Sequence, residues 1–137
     1  MFRSDSFRGK LYEGNQILEL TKGLQRGLDV SAYADPGFRT SQMHKIRKGL
    51  EKGLDVSLYA KKEFDAAQME QIMLGLSEGV DASIYASKYY SWSKMSLYRR
   101  ALLDGIDVSS ILRPTLTNSQ LEELIEDSSI IRCHRRS

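Results

Sequence analysis

An all-α fold of stacked two-helix repeats is the class this sequence predicts, and three observations predict it. A 26-residue pattern recurs over residues 15–40, 41–66, 67–92 and 93–118. Within each copy apolar residues fall at helical spacing, as Met43, Ile46 and Leu50 do in the second. Glycine then stands where each helix should stop, at Gly27, Gly53, Gly79 and Gly105. Self-similarity at a short fixed period means that no unit buries its apolar face alone, so neighbours must stack. The expected architecture is a short right-handed α-solenoid of about four tandem units, each with one longer and one shorter helix. It forms one domain, with a half-repeat at 3–14, a capping helix at 119–131 and a basic tail at 132–137.

The second copy shows how a unit should fold. Ser41 is placed to cap the long helix, its hydroxyl accepting an amide of the first turn. Gly53 ends that helix, because a left-handed residue there costs glycine nothing. Asp55 caps a second, shorter helix running to about Ala60, and Tyr59 and Phe64 plug the gap to the following unit. A strand over 56–60, as in a leucine-rich repeat, fits less well, since the L-x-x-L-x-L run is missing. In the first copy Asp35-Pro36-Gly37 breaks the chain at the equivalent place.

Some columns carry structure only. Gly23, Gly49 and Gly75 sit mid-helix, where glycine costs about 1 kcal/mol against alanine, and the fourth copy has Ala101. Close packing of neighbouring helices explains a column restricted to small residues. Asp29, Asp55, Asp81 and Asp107 recur in every unit at a helix start, which is the mark of capping and not of catalysis or metal binding. At the N-terminal end Phe7 and Tyr12 match the aromatic columns of Tyr33 and Phe38, although Arg3 and Asp5 break the polar ones. At the other end Ser119-Gln120-Leu121 restarts the long helix and runs into Glu126 and Asp127, a polar cap.

Bulk composition narrows the function. The 20 Lys and Arg against 18 Asp and Glu leave a net charge of +2, which announces neither a nucleic-acid binder nor an acidic decoy. A single cysteine, Cys133, forms no internal disulfide, and a reducing cytoplasm is the expectation. The start lacks a signal peptide's apolar run, and no segment reaches membrane-spanning length. His44 and His134 are isolated, Cys133 has no companions at zinc-binding spacing, and neither a phosphate-cradling loop nor a nucleophile motif is present. No metal, cofactor or enzymatic activity is expected.

Recognition must then lie in side chains that differ between units. Stacking aligns Arg47 and Lys48 with Met73 and Leu74 and with Arg99 and Arg100, a strip with basic flanks and an apolar centre. It is either a solvated helix face or a surface for an acidic partner. Tyr89 and Trp92 stand where other units have Gly37 and Thr40, or Glu63 and Ala66. Large aromatics at small or polar columns are either local packing or interface anchors.

The phrase Gln-Met-x-x-Ile-x-x-Gly-Leu-x-x-Gly-Leu-Asp-Val-Ser-x-Tyr-Ala at 42–60, repeated at 68–86 with Val80 and Ala82 as departures, is similar to short repeats in proteins of phages and integrative elements of gut Firmicutes. That resemblance covers about residues 15–112 and implies a mobile element inside a bacterial cell. For a small non-enzymatic protein of that setting it implies an inhibitor of host defence, of the anti-CRISPR class. It transfers no binding residue. The expected function is steric occlusion of a protein partner, with nucleic-acid binding through Arg47, Lys48, Arg99, Arg100 and the tail arginines second, and a self-associating scaffold third.

Overall fold

The computed structural model describes residues 4–7 and 9–136, with side chains from 9 to 128. A hairpin of β1 (Ser4–Phe7) and β2 (Lys10–Glu13) leads into five helices. These are α1 (Gly14–Gln25), α2 (Thr40–Glu51), α3 (Ala66–Glu78), α4 (Trp92–Leu103) and α5 (Asn118–Arg136). Each helix packs on the next in chain order, so the chain is all-α with one small antiparallel hairpin. The expectations at Arg3 and Ser137, and those for the side chains of Asp5, Phe7 and 132–136, lie outside what is described.

The sequence places each helix start two residues late. The caps are Glu13, Arg39, Asp65, Ser91 and, at α5, Thr117, a single column one period apart. Ser41 already lies inside α2. A glutamine three residues after the cap holds it: the amides of Glu13, Arg39, Asp65 and Thr117 donate to Gln16, Gln42, Gln68 and Gln120 at 2.7–2.9 Å. The same side chains reach onward through Nε2. Gln16 donates to the Phe38 carbonyl at 2.7 Å, Gln42 to that of Phe64 at 2.6 Å and Gln68 to that of Tyr90 at 2.8 Å. One polar column therefore ties each helix start to the loop that leads into the next helix. Gln16, Gln42 and Gln68 are buried, and a buried amide is tolerable only because its hydrogen bonds are made.

The second half of each unit is shorter than the sequence predicts. A single turn of 3-10 helix stands there, at Val30–Ala32, Val56–Leu58, Ala82–Ile84 and Ser109–Ile111. Asp55 accepts the Ser57 amide at 3.1 Å and its hydroxyl at 2.6 Å, which starts the turn. These two bonds hold the Asp55 carboxyl below the usual carboxylate range. Tyr59 then drops into the core, fully buried, and the Lys61 amide bonds the Tyr59 carbonyl at 2.7 Å, so the chain turns before a second helical turn can form.

Tyrosine also explains the small-residue column. Tyr33, Tyr59 and Tyr85 donate to the carbonyls of Glu19, Lys45 and Gln71 at 2.7–3.0 Å. To get there each hydroxyl crosses its own unit's glycine, and a Cβ on Gly23, Gly49 or Gly75 would lie 2.0, 1.8 or 2.0 Å from that oxygen. The close approach is thus made by a tyrosine of the same unit and not by a neighbouring helix. The fourth unit obeys the same rule by exchange: Ile111 replaces the tyrosine, Ala101 is tolerated, and Tyr98 fills the space from the helix side, bonding the Ile111 carbonyl at 2.6 Å. Helix ends match the expected stop. Gly53 has φ +73, and the Leu54 and Gly53 amides close back on Gly49 and Leu50 at 3.0 Å.

Both termini differ from expectation. Residues 4–13 form a hairpin and not a half-repeat, pairing Ser4 with Glu13 and Phe7 with Lys10. Without an Asp-x-Ser cap at its start this segment lacks what begins the 3-10 turn elsewhere. Gly9, at φ +79, reverses it instead. Tyr12 still fills the aromatic column and is 1% exposed. At the other end α5 continues through Arg136, because no glycine or proline interrupts 119–136, so most of the expected tail is helical backbone. Leu121 is buried while Glu122, Glu123, Glu126 and Asp127 are exposed, as a polar cap should be.

Candidate partner-binding surface

The expected strip does not survive as one surface. Arg47 is 3% exposed and belongs to an ion-pair network inside the stack. Its Nε donates to Glu19 of the preceding unit at 2.7 Å, Nη1 to Glu51, and Nη2 to His44 Nδ1 at 3.0 Å. Burial works against Glu51, yet hydrogen bonds from Arg26 and Arg47 hold its carboxyl below the usual range. Met73, at 4% exposure, is likewise core. Arg99 repeats the inter-unit contact, its Nε 3.1 Å from Gln71 Oε1 and its Nη1 2.7 and 3.0 Å from the Glu78 carboxylate. The column of Thr21, Arg47, Met73 and Arg99 thus lies at the seam between helices. Arg47 and Met73 are unavailable to a partner, and Arg99 is engaged. Only Lys48 and Arg100 remain exposed, with Leu74 half-buried between their helices.

Tyr89 and Trp92 are different. Their relative exposures are 70% and 53%, the two largest among the aromatics whose side chains are described. The loop into α4 alternates its side chains. Tyr90 points inward, 7% exposed, and meets Tyr98 edge-on with ring centroids 5.1 Å apart. Tyr89 and Trp92 on either side consequently face solvent. Ser91 accepts the Lys94 amide at 3.3 Å and caps α4, so Trp92 stands on the rigid first residue of that helix. Lys88 places its ammonium 5.4 Å from the Tyr89 ring centroid, within cation–π range.

Helical spacing extends this patch along α4. Trp92, Ser96, Arg100 and Leu103 share one side of the helix, and Leu103 is 44% exposed. Sequence reasoning passed over Leu103 and Lys88. The signal for Leu103 was present, since its column holds Gln25, Glu51 and Ser77 in the other units.

Among the described residues no group of three or more His, Cys, Asp or Glu side chains is arranged to hold a metal ion. Among the described residues no helix is long and apolar enough to cross a membrane. The chain matches no protein-family model, no curated protein and no solved structure.

Proposed function

We propose that this protein binds another protein through the Tyr89–Trp92 edge of α4 and acts by covering that partner's working surface. One observation carries the reading. Two large aromatics stand exposed on a preformed frame, in columns otherwise filled by Leu11, Gly37, Glu63 and Thr115 or by Gly14, Thr40, Ala66 and Asn118. Exposed Trp and Tyr are favoured as anchors, and a rigid frame presents them without an ordering cost on docking. Lys88 and Arg100 add positive charge at the rim, which suits a partner with acidic side chains. The sequence resemblance suggests a defence effector of a bacterial host as that partner.

Quantitative capture from host lysate tests this, comparing the wild type with the Tyr89→Ala/Trp92→Ala variant. Two anchors at about 2 kcal/mol or more each predict at least ~100-fold weaker capture of the same partner, with the thermal midpoint held within about 2 °C. Unchanged capture, or a variant that unfolds early, refutes the proposal. Nucleic acid fits less well, because Arg47 and Arg99 are already bonded to carboxylates within the protein.

A further inference from the structure

Two columns on the outer side of the helices change sign along the array. Lys22 and Lys48 share one with Leu74, Arg100 and Glu126, while Arg26 and Lys52 share the other with Glu78 and Asp104. Four cations therefore form a square on α1 and α2, spaced i, i+4 along each helix and one unit across. Their side chains are open: 40% for Lys22, 53% for Arg26 and 45% for Lys48, with Lys52 also exposed. Nearby carboxylates do not balance them. Glu19 meets Lys22, Glu51 meets Arg26 and Lys48, and both also meet the buried Arg47, so four positive side chains share two negative ones. On α5 the reverse holds. Glu122, Glu123, Glu126 and Asp127 are all exposed, and residues 119–128 contain no basic side chain.

We infer that a second copy of this chain occupies the face, Glu126 on its α5 against Lys22 and Asp104 at the end of its α4 against Lys52, in an antiparallel two-fold pair. A two-fold axis parallel to the helices reverses the order of the stack and keeps each column level with itself. Glu126 of one copy then lies level with Lys22 of the other, and Asp104 with Lys52. The symmetry makes every such contact twice and closes the assembly at two copies. Leu74, half-buried on the middle helix, falls beside its own image near the axis. Lys48 comes level with Arg100, a like-charge pair that Asp104 one turn further on offsets. The contact uses the C-terminal ends of α1, α2 and α4 together with α5, so it shares Arg100 with the proposed partner surface, whereas Tyr89 and Trp92 stand at the N-terminal end of α4.

Sedimentation velocity on the full chain at about 100 μM, in ~0.1 M and ~1 M salt, tests this, because that change shortens the screening length from about 10 to about 3 Å. The wild type should be a dimer at low salt and at least ~10-fold more weakly associated at high salt. Lys22→Glu/Lys52→Glu and Asp104→Lys/Glu126→Lys should each be monomeric with an unchanged circular dichroism spectrum, and mixing them in equal amounts should restore the dimer. A wild type that is monomeric at low salt overturns the inference. So does a reversed variant that sediments as the wild type, or a mixture that stays monomeric. A monomer that instead shifts an oligonucleotide, and loses that shift with Lys22→Glu/Lys52→Glu, would assign the cations to nucleic acid and overturn it too.

Discussion

Gly75→Ala should destabilise the protein even though alanine is the better helix former, and Tyr85→Phe should rescue it. The new Cβ would lie 2.0 Å from the Tyr85 hydroxyl, whereas its other neighbours, Ala82 Cβ and Tyr85 Cζ, are at 3.2 Å. Ordinary contact begins near 3.4 Å, so the oxygen must retreat by about 1.4 Å, far enough to break its 2.7 Å bond to the Gln71 carbonyl. Overpacking costs about 1–3 kcal/mol and stranding a buried hydroxyl about 1–3 more. Helix propensity returns about 1 kcal/mol. The net loss is about 1–5 kcal/mol. Tyr85→Phe alone removes one hydrogen bond, for about 0.5–1.5 kcal/mol. Once the hydroxyl is gone the alanine fits, so the double variant should lie within about 1 kcal/mol of the wild type, a favourable coupling of about 2 kcal/mol or more. Urea unfolding of all four proteins measures it. Single losses that add within about 0.5 kcal/mol would refute the tyrosine-over-glycine account.

Two further outcomes follow from buried polar groups. Arg47→Met leaves Glu19, itself 6% exposed, without its closest cation and should cost about 3–5 kcal/mol, whereas Arg47→Met with Glu19→Gln should recover most of that in the same urea assay. Alkaline unfolding should be cooperative. Burial raises Tyr33 and Tyr98 from an ordinary value of 10.0 to about 12, so their contribution is complete below pH ~10 and lost as pH rises through ~12. Tyrosinate absorbance and far-ultraviolet circular dichroism recorded across that window should change together. Full ionisation of these tyrosines with the helices intact would contradict it.

Much of the frame was legible because the chain states it several times. The glycine stops, the aspartate caps and the aromatic columns each recur, and a recurring residue is read with the weight of all its copies. The seam was not legible. Thr21, Arg47, Met73 and Arg99 mix polar and apolar types, and their angle on the helix falls between core and solvent. Thr21 is exposed, and what decides the burial of the two arginines is a partner 28 residues earlier, Glu19 for Arg47 and Gln71 for Arg99, about which periodicity within one helix carries no information. The hairpin was missed for a related reason. Tyr12 keeps the column of Phe38, so the core position is repeated while the backbone that delivers it is not.

The fourth unit separates structural variation from functional variation. Within its core it departs from the pattern at Lys94, Tyr98, Ala101 and Ile111, and the structure shows a compensation for these changes. Lys94 still reaches the loop ahead, donating to the Pro114 carbonyl at 2.7 Å, and Tyr98, fully buried, donates to the carbonyl of Ile111, the residue that stands in place of the tyrosine. Such changes rearrange parts while keeping the number of satisfied groups and the filled volume nearly constant, as a packed interior demands. At the entrance to the same helix Tyr89 and Trp92 also depart from the pattern, and nothing compensates them. Both remain open to solvent, and replacing either by the glutamate or alanine of the second unit would leave no cavity. A departure that the fold neither needs nor repairs is what supports the proposed binding surface on α4.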